Sequence, residues 1–410
     1  LHEIQWRKFR KLVDYAWNNI PAYRKLWEKS GFHPSQLKDF EDVLKIPVID
    51  KDFIRDNLED LVPVNYDRNR LSLVTTGGTT GMPMKFFIDQ YVARPKELAY
   101  QLWAGFHYWR HRQGIDRVVT IRGARIDDKL IQKGVFWKRN PRENGIIMSS
   151  FHILEENYEQ YLCKLRSYKP RFIKAYPSAI ASLCILMQKH GDKKLKGLKG
   201  VICSSETIYD WHRTLVKDTL GVEIYSFYGH SEKAICAYQN RSGLMEFQPM
   251  YGYTEFLDDL GQPVSGEKAI VNLVATSLDN YYFPFIRYQT GDCARLLDNI
   301  NMNVVEHIIG RRQEFVYDSY GNKVLFTCND EAFWGIDGII AYQYIQKELG
   351  ALLINLQVDS SFSINLLDII RRKLQEIFVN FTIEIKIVAT IEKTKNGKFR
   401  YLIQYLAGKM

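Results

Sequence analysis

The chain has 410 residues, of which 46% are hydrophobic and 25% charged. That is the composition of an ordinary globular protein, and it excludes a disordered or low-complexity chain. At about 150 residues per domain the length implies two to three domains, large enough to bury a core without disulfide or metal staples. The 56 Lys and Arg against 47 Asp and Glu leave a formal charge of +9. The surplus is modest and scattered, so it permits acidic substrates such as nucleotides without marking a nucleic-acid binder. The longest apolar run, Ala179 to Met187, falls short of the roughly 18 residues of a membrane helix, so no span is expected.

In chain order, the first predicted element is a helix, with Ile4, Trp6, Phe9, Leu12, Val13 and Trp17 on one stripe and a break at Asn18, Asn19 and Pro21. From about residue 70, short apolar runs alternate with helical patterns. Leu71 to Val74, Val118 to Ile121, Phe172 to Tyr176, Gly200 to Ser204 and Glu223 to Tyr228 read as strands. Residues 153–168 and 178–190 read as helices. This alternation predicts an α/β fold with parallel strands. Ala269 to Ala275 reads as a further strand. A polar break follows at 310–323, GRRQEFVYDSYGNK, and beyond it lies a small α+β set. In that set 341–349 is mixed, Leu352 to Val358 and Ile383 to Val388 are strands, and Ile364 to Phe378 is a helix. The expected division is a large α/β domain over 1–311 and a small α+β domain over 312–410. The six cysteines form no CxxC pair, which argues against a local zinc site. Without an apolar leader at the start they point to reduced thiols and a cytoplasmic protein. The chain opens at Leu1 rather than Met, so targeting upstream is not read.

Five segments carry candidate chemistry. Thr75-Thr76-Gly77-Gly78-Thr79-Thr80 follows a strand, with Lys85 just beyond. Its glycines let backbone amides converge, its hydroxyls add donors, and the lysine adds charge, which together suit a triphosphate. The spacing is not that of a Walker A loop, and a plain Gly/Thr turn is the competing reading. Ser226-Phe227-Tyr228-Gly229-His230-Ser231-Glu232 sits at a strand end, where ligands collect in open α/β sheets. There Tyr228 can stack on a base and Glu232 can hold Mg²⁺ near phosphates. A core tyrosine and a solvated glutamate explain the same letters, and His230 is a turn histidine or a general base. Arg287-Tyr288-Gln289-Thr290-Gly291-Asp292 offers a carboxylate for ribose hydroxyls, or simply a hairpin turn. Gly310-Arg311 lies at the domain break, and Lys393-Thr394-Lys395-Asn396-Gly397-Lys398 offers a mobile point charge or a solvated basic loop.

Each segment is weak alone, but their order and spacing resemble the adenylate-forming superfamily of acyl-CoA synthetases, adenylation domains and luciferases. The chain most resembles the phenylacetate–CoA ligase branch and, within it, the CapK-like proteins of capsular polysaccharide biosynthesis. Ile20-Pro21-Ala22-Tyr23-Arg24 and Tyr176-Pro177-Ser178 add to the likeness, which covers nearly the whole chain. The resemblance implies a large adenylation domain, a small mobile C-terminal domain, and an ATP site. In that site Thr75 to Thr80 hold phosphates, and Ser204, Ser205 and Glu206 flank the adenine. Phe227, Tyr228, Gly229 and Ser231 line the nucleotide, Asp292 and Arg311 bind ribose, and Glu232 binds Mg²⁺. Lys398 reaches the acyl carboxylate and the α-phosphate. Gln313 takes the hinge position that many relatives fill with Asp or Lys. The acyl pocket falls to Tyr176, Ile202, Phe227 and Ile235, residues that core packing explains equally well. Arg122 and Arg125 follow a strand and can pair with a charged substrate or CoA phosphates, or face solvent.

The implied reaction is adenylation of a small-molecule carboxylic acid with release of pyrophosphate, then transfer of the acyl group to CoA. An amine acceptor, giving an amide in surface polysaccharide biosynthesis, is the alternative, and a non-catalytic nucleotide-binding module the third reading. Relatives of this branch are often homodimers. Nucleic acid is not an expected partner.

Overall fold

The computed structural model describes residues 1–75, 84–264, 269–297, 303–311, 315–325, 332, 333, 336, 338–391 and 400–406. The chain opens with α1 (His2–Asn19), which buries Phe9, Leu12, Val13 and Ala16. Pro21 then starts α2 (Pro21–Ser30) from the N1 position, where its missing N–H costs nothing. The short α3 (Lys51–Asp56) is capped by the Asp50 carboxylate. β1 (Leu71–Thr75) and β2 (Lys85–Asp89) pair antiparallel and lead into α4 (Gln90–Trp109).

An α/β stretch follows: β3 (Val118–Arg122), the four-residue α5 (Asp128–Ile131), β4 (Trp137–Asn140), β5 (Gly145–Ser149), α6 (Tyr158–Tyr168), β6 (Phe172–Ala175), α7 (Pro177–Lys189), β7 (Gly200–Cys203) and α8 (Asp210–Leu220). Next come the strands β8 (Ile224–Gly229), β9 (Cys236–Gln239), β10 (Met245–Phe247), β11 (Tyr253–Leu257), β12 (Ile270–Thr276), β13 (Tyr288–Arg295), β14 (Val304–Val305) and β15 (His307–Arg311). The last part holds β16 (Phe315–Tyr317), β17 (Lys323–Leu325), β18 (Ile339–Gln346), β19 (Ala351–Val358), α9 (Leu367–Ile377), β20 (Thr382–Val388) and β21 (Leu402–Gln404). The fold is mixed α/β, as the alternation predicts.

The chain divides into two compact units, the first made of 1–113 and 226–310, the second of 114–225 and 311–410. In the first, β8, β9, β10 and β14 are neighbours in one sheet, and β11-β12-β13-β15 form another. Their shared core is rich in aromatics, with Phe9, Tyr23, Trp27, Phe283 and Tyr288 fully buried. In the second, the order β7-β6-β3-β5-β4 is parallel except for β4, because helical crossovers return the chain to the same edge. A separate core forms where α9 packs on the sheet β20-β19-β18-β21.

Three expectations change on contact with the structure. Residues 341–349 are mostly strand, because β18 runs to Gln346. The helix expected over 153–168 begins at Tyr158, after a single 3₁₀ turn at Glu155–Asn157. The Thr290-Gly291-Asp292 segment is not a hairpin turn. It lies inside β13, where Gly291 has φ +79° and the register against β12 shifts between Asn272 and Val274. A bulge asks the same left-handed residue of the sequence as a turn does, so the dipeptide does not tell them apart.

Candidate active site

In the first unit, three segments far apart in sequence meet: the end of β8 with the residues after it, the first half of β13, and the start of α3. Tyr228 ends up beside Asp292, and its hydroxyl donates to Asp292 Oδ2 at 2.6 Å. Burial and then the Asp292 carboxylate push the phenol well above its ordinary pKa, so it remains a donor. The Asp292 amide in turn donates to Thr290 Oγ1 at 3.1 Å, which fixes the bulge. Gly229 packs closely under its neighbour, since a Cβ there would sit 3.1 Å from the Phe227 ring. That ring stacks on Tyr238, centroids 5.0 Å apart.

Glu232 is 7% exposed. Tyr288 donates its hydroxyl to Glu232 Oε1 at 3.2 Å, and His230 Nδ1 lies 3.2 Å from Oε2. Burial alone would raise this carboxyl, but the charge and contact of His230 and the charge of Lys51 more than offset it, holding the pKa down at about 2. The group is therefore ionised at neutral pH. A single ionised carboxylate fits Mg²⁺ of the kind that arrives on phosphates and keeps its waters. No group of three or more His, Cys, Asp or Glu forms a metal cluster among the described residues. Ser231 is exposed and Ile235 buried.

β13 is positioned by a buried ion pair. Arg287, with φ +48°, donates Nη2 to Glu255 Oε1 at 2.8 Å and Nε to both carboxylate oxygens at 3.1 Å. Both side chains are less than 5% exposed. Thr75 and Lys85 are exposed cross-strand partners that close the β1–β2 ladder. Thr76, Gly77, Gly78, Thr79 and Thr80 lie outside the described residues.

In the second unit the predicted residues follow the carboxyl ends of parallel strands. Tyr176 follows β6 and is 8% exposed, and Ile202 sits in β7 at 8%. Ser204, Ser205 and Glu206 follow β7, with Ser205 at φ +73°, a conformation that a non-glycine residue holds only under local constraint. The next residue, Glu206, is anchored, its carboxylate accepting the Ser178 amide at 3.0 Å and the Ser178 hydroxyl at 3.1 Å. This places a negative charge at the amino end of α7, where free N–H groups favour it. Tyr176 and Arg122 stand close enough for Arg122 to oppose the burial that raises the Tyr176 hydroxyl.

Deeper in this unit, His212 is fully buried on α8. It accepts the Tyr209 amide at Nδ1, 3.1 Å, and its Nε2 lies 3.1 Å from the Tyr401 hydroxyl. Because Nδ1 accepts, the proton sits on Nε2 and points at Tyr401. Arg311 ends β15, and Lys398 and Gln313 lie outside the described residues. Sequence reasoning gave no role to Lys51, Tyr288, Glu255 or His212, because each acts through a partner that only the fold brings near.

The family model for the CapK C-terminal domain matches residues 316–405. Protein CapK of Staphylococcus aureus is 23% identical over 98% of this chain and 89% of its own length. The phenylacetate-coenzyme A ligase of Pseudomonas putida is 24% identical over 77% of this chain and 72% of its own. Over most of its length the chain is thus similar to the CapK and phenylacetate–CoA ligase branch of the adenylate-forming proteins. A 2-hydroxyisobutyryl-CoA ligase solved in the postadenylation state with 2-HIB-AMP has a TM-score of 0.75 and 19% identity. That alignment covers 98% of this chain and 89% of the ligase chain. The same ligase with 2-HIB-AMP and CoA in the thioesterification state has a TM-score of 0.62.

Proposed function

We propose that this protein is an AMP-forming acid ligase that activates a carboxylic acid with ATP and passes the acyl group to CoA. The observation that carries the reading is the junction of two motifs 64 residues apart, tied by the Tyr228 hydroxyl on Asp292, with the ionised Glu232 beside it. On this reading the Tyr228 ring packs on adenine, and Asp292 and Arg311 take the ribose hydroxyls. Asp292 is held in place through its Oδ2, which accepts the Tyr228 hydroxyl. The Thr75 to Thr80 loop and Lys85 hold the phosphates.

An oxygen of the acid attacks the α-phosphorus, the bond to the β-phosphate breaks, and pyrophosphate leaves an acyl-AMP. Two anions must approach, so catalysis is largely a matter of supplying positive charge where negative charge gathers. Lys398 supplies it on the carboxylate and the α-phosphate. Glu232 would hold Mg²⁺, which when bound provides Lewis-acid stabilisation of the phosphates. The thiol of CoA then attacks the acyl carbon and AMP departs. Tyr176, Ile202, Phe227 and Ile235 set the apolar limits of the acid, with Arg122 available to a charged group. Relatives that are CoA ligases support the thiol acceptor. The fuller coverage by CapK favours testing an amine acceptor as well.

The test is ATP–pyrophosphate exchange over a panel of aryl, fatty, hydroxy and amino acids without acceptor, followed by CoA. Exchange with one acid class, and thioester on adding CoA, is the expected result. Lys398→Ala should slow acyl-AMP formation by orders of magnitude while ATP still binds. Exchange at the normal rate in that variant refutes the role of Lys398. Exchange without thioester, and product only with an amine, replaces the acceptor.

A further inference from the structure

The second unit carries a basic cleft of about 410 Å³ lined by Ile115, Asp116, Arg117, Lys169, Arg171 and Lys196, with Gly197 at its edge. It lies at the opposite end of the parallel strands from Arg122, Tyr176 and Ser204 of the same unit. Arg117, Arg171 and Lys199 stand immediately before β3, β6 and β7. Arg122, Tyr176 and Ser204 stand at or just after the far ends of the same strands. Five residues of β3 separate the two ends by roughly 16 Å. The entry points are stitched together by backbone bonds, Arg171 N–H to Arg117 O and Lys199 N–H to Arg171 O, both 2.8 Å. The cations are therefore mounted on a rigid edge.

The charge balance is one-sided. Four cations line the cleft against one carboxylate. Asp116 is buried, and Arg171 Nε, itself buried, lies 3.4 Å from its Oδ1. That contact orients the guanidinium and leaves its two terminal nitrogens without a partner among the described residues. Arg117, Lys169 and Lys196 pair with no carboxylate among the described residues, and all three are exposed. The nearest acid on the adjoining loop, Asp192, is already held by Tyr158 and Arg166 at 2.6 Å each. The same loop adds Lys193, Lys194 and Lys199, all exposed.

We propose that this cleft is a second anion site, distinct from the adenylation site, that takes a phosphate-bearing ligand with two or more negative charges. The fork of Arg171 suits two phosphate oxygens at once, and the lysines supply point charge around it. The volume suits a small ligand or a headgroup, and the balance of four cations to one acid leaves three charges for it to neutralise.

The test uses the full chain and the Arg117→Ser/Lys196→Ser variant, both changes at exposed positions outside the adenylation machinery. Pyrophosphate is titrated by calorimetry at low salt, and sedimentation is measured with phosphatidylcholine vesicles with and without phosphatidic acid, whose phosphomonoester can carry two charges. An unchanged melting curve and unchanged AMP binding show that the variant is folded. The wild type should take up one pyrophosphate more than the variant, and Arg117→Ser alone should weaken that site roughly ten-fold or more. In a crystal soaked with tungstate, an anomalous peak should lie between Arg171 and Lys196. Loss confined to the phosphatidic acid vesicles would identify a lipid headgroup as the source of the phosphate, and loss of pyrophosphate uptake a soluble ligand. If the variant matches the wild type in both arms, the cleft is solvated surface and the proposal falls.

Discussion

His212 should remain neutral far below the pH at which an ordinary histidine protonates, and its replacement should change how the protein responds to acid. The side chain is fully buried, and burial followed by the charge of Arg213 moves its pKa from 6.5 to about 3. Its two nitrogens are committed to Tyr209 and Tyr401, and protonation would place a second N–H against the Tyr209 amide. The folded-state value is depressed, so the unfolded chain binds the proton first. The stabilisation is complete above pH 6.5 and is lost as the pH falls toward 3. Between pH 7.5 and pH 5 the loss from this one group is about 2 kcal/mol, and it approaches roughly 5 kcal/mol below pH 3. His212→Gln keeps a donor and an acceptor but removes the titrating group. Urea unfolding at pH 7.5 and pH 5 should therefore show a smaller acid loss in the variant, by about 2 kcal/mol. In the wild type, one of the nine histidines should show no C2–H shift in carbon–proton spectra down to pH 5, and its signal should be absent in the variant. A signal assigned to His212 that titrates near 6.5, or identical acid losses in the two proteins, would refute the argument.

Tyr228→Phe removes the donor to Asp292 and leaves a partly buried carboxylate oxygen without it, a cost of about 1–3 kcal/mol. The KM for ATP should rise ten-fold or more with a smaller change in kcat, and an unchanged KM would detach this bond from nucleotide binding. Glu232→Gln keeps the shape but removes the ionised carboxylate, and should lower the exchange rate by roughly a hundred-fold or more with ATP affinity within a few-fold. Full activity at low Mg²⁺ would deny the residue its metal role. Arg287→Met strands the Glu255 carboxylate, whose pKa burial already raises, and should destabilise the first unit by about 3–5 kcal/mol. Adding Glu255→Leu should restore most of that loss in denaturant titrations, and a double variant as weak as the single would show that the pair's charge is not the cause.

The parallel strands around β3, β6 and β7 are legible in the sequence because buried strands bounded by turns need near-continuous apolar runs. The start of α7 is legible too, since the fixed φ and missing N–H of Pro177 suit the first helical position. α4 is not read from the sequence. Pro95 falls within its first turns, and Tyr91, Leu98, Leu102, Trp103 and Phe106 are exposed along it, so no polar face marks the period. The strands β9, β10 and β11 are three to five residues long and carry too few alternations to register. At the candidate site the motif letters are legible and their pairings are not. A Gly-Asp dipeptide reads as a turn because turns and bulges both need the left-handed residue, and only the ladder opposite decides between them.

The hidden pairings have a common cause. Tyr228 to Asp292 spans 64 residues, Tyr288 to Glu232 spans 56, Ser178 to Glu206 spans 28 and His212 to Tyr401 spans 189. None follows from helical or strand periodicity, which reaches only a few residues. Each also joins a polar group to a setting that would be costly without its partner. The apolar clusters supply most of the stability and tolerate exchange of one hydrophobe for another of similar volume. The polar pairs have no such tolerance, because removing one member leaves the other buried and unpaired. A site assembled from them is held in one arrangement even where the surrounding sequence drifts. That is how a carboxylate and a tyrosine on separate strands come to lie against each other, with the Tyr228 hydroxyl 2.6 Å from Asp292 Oδ2.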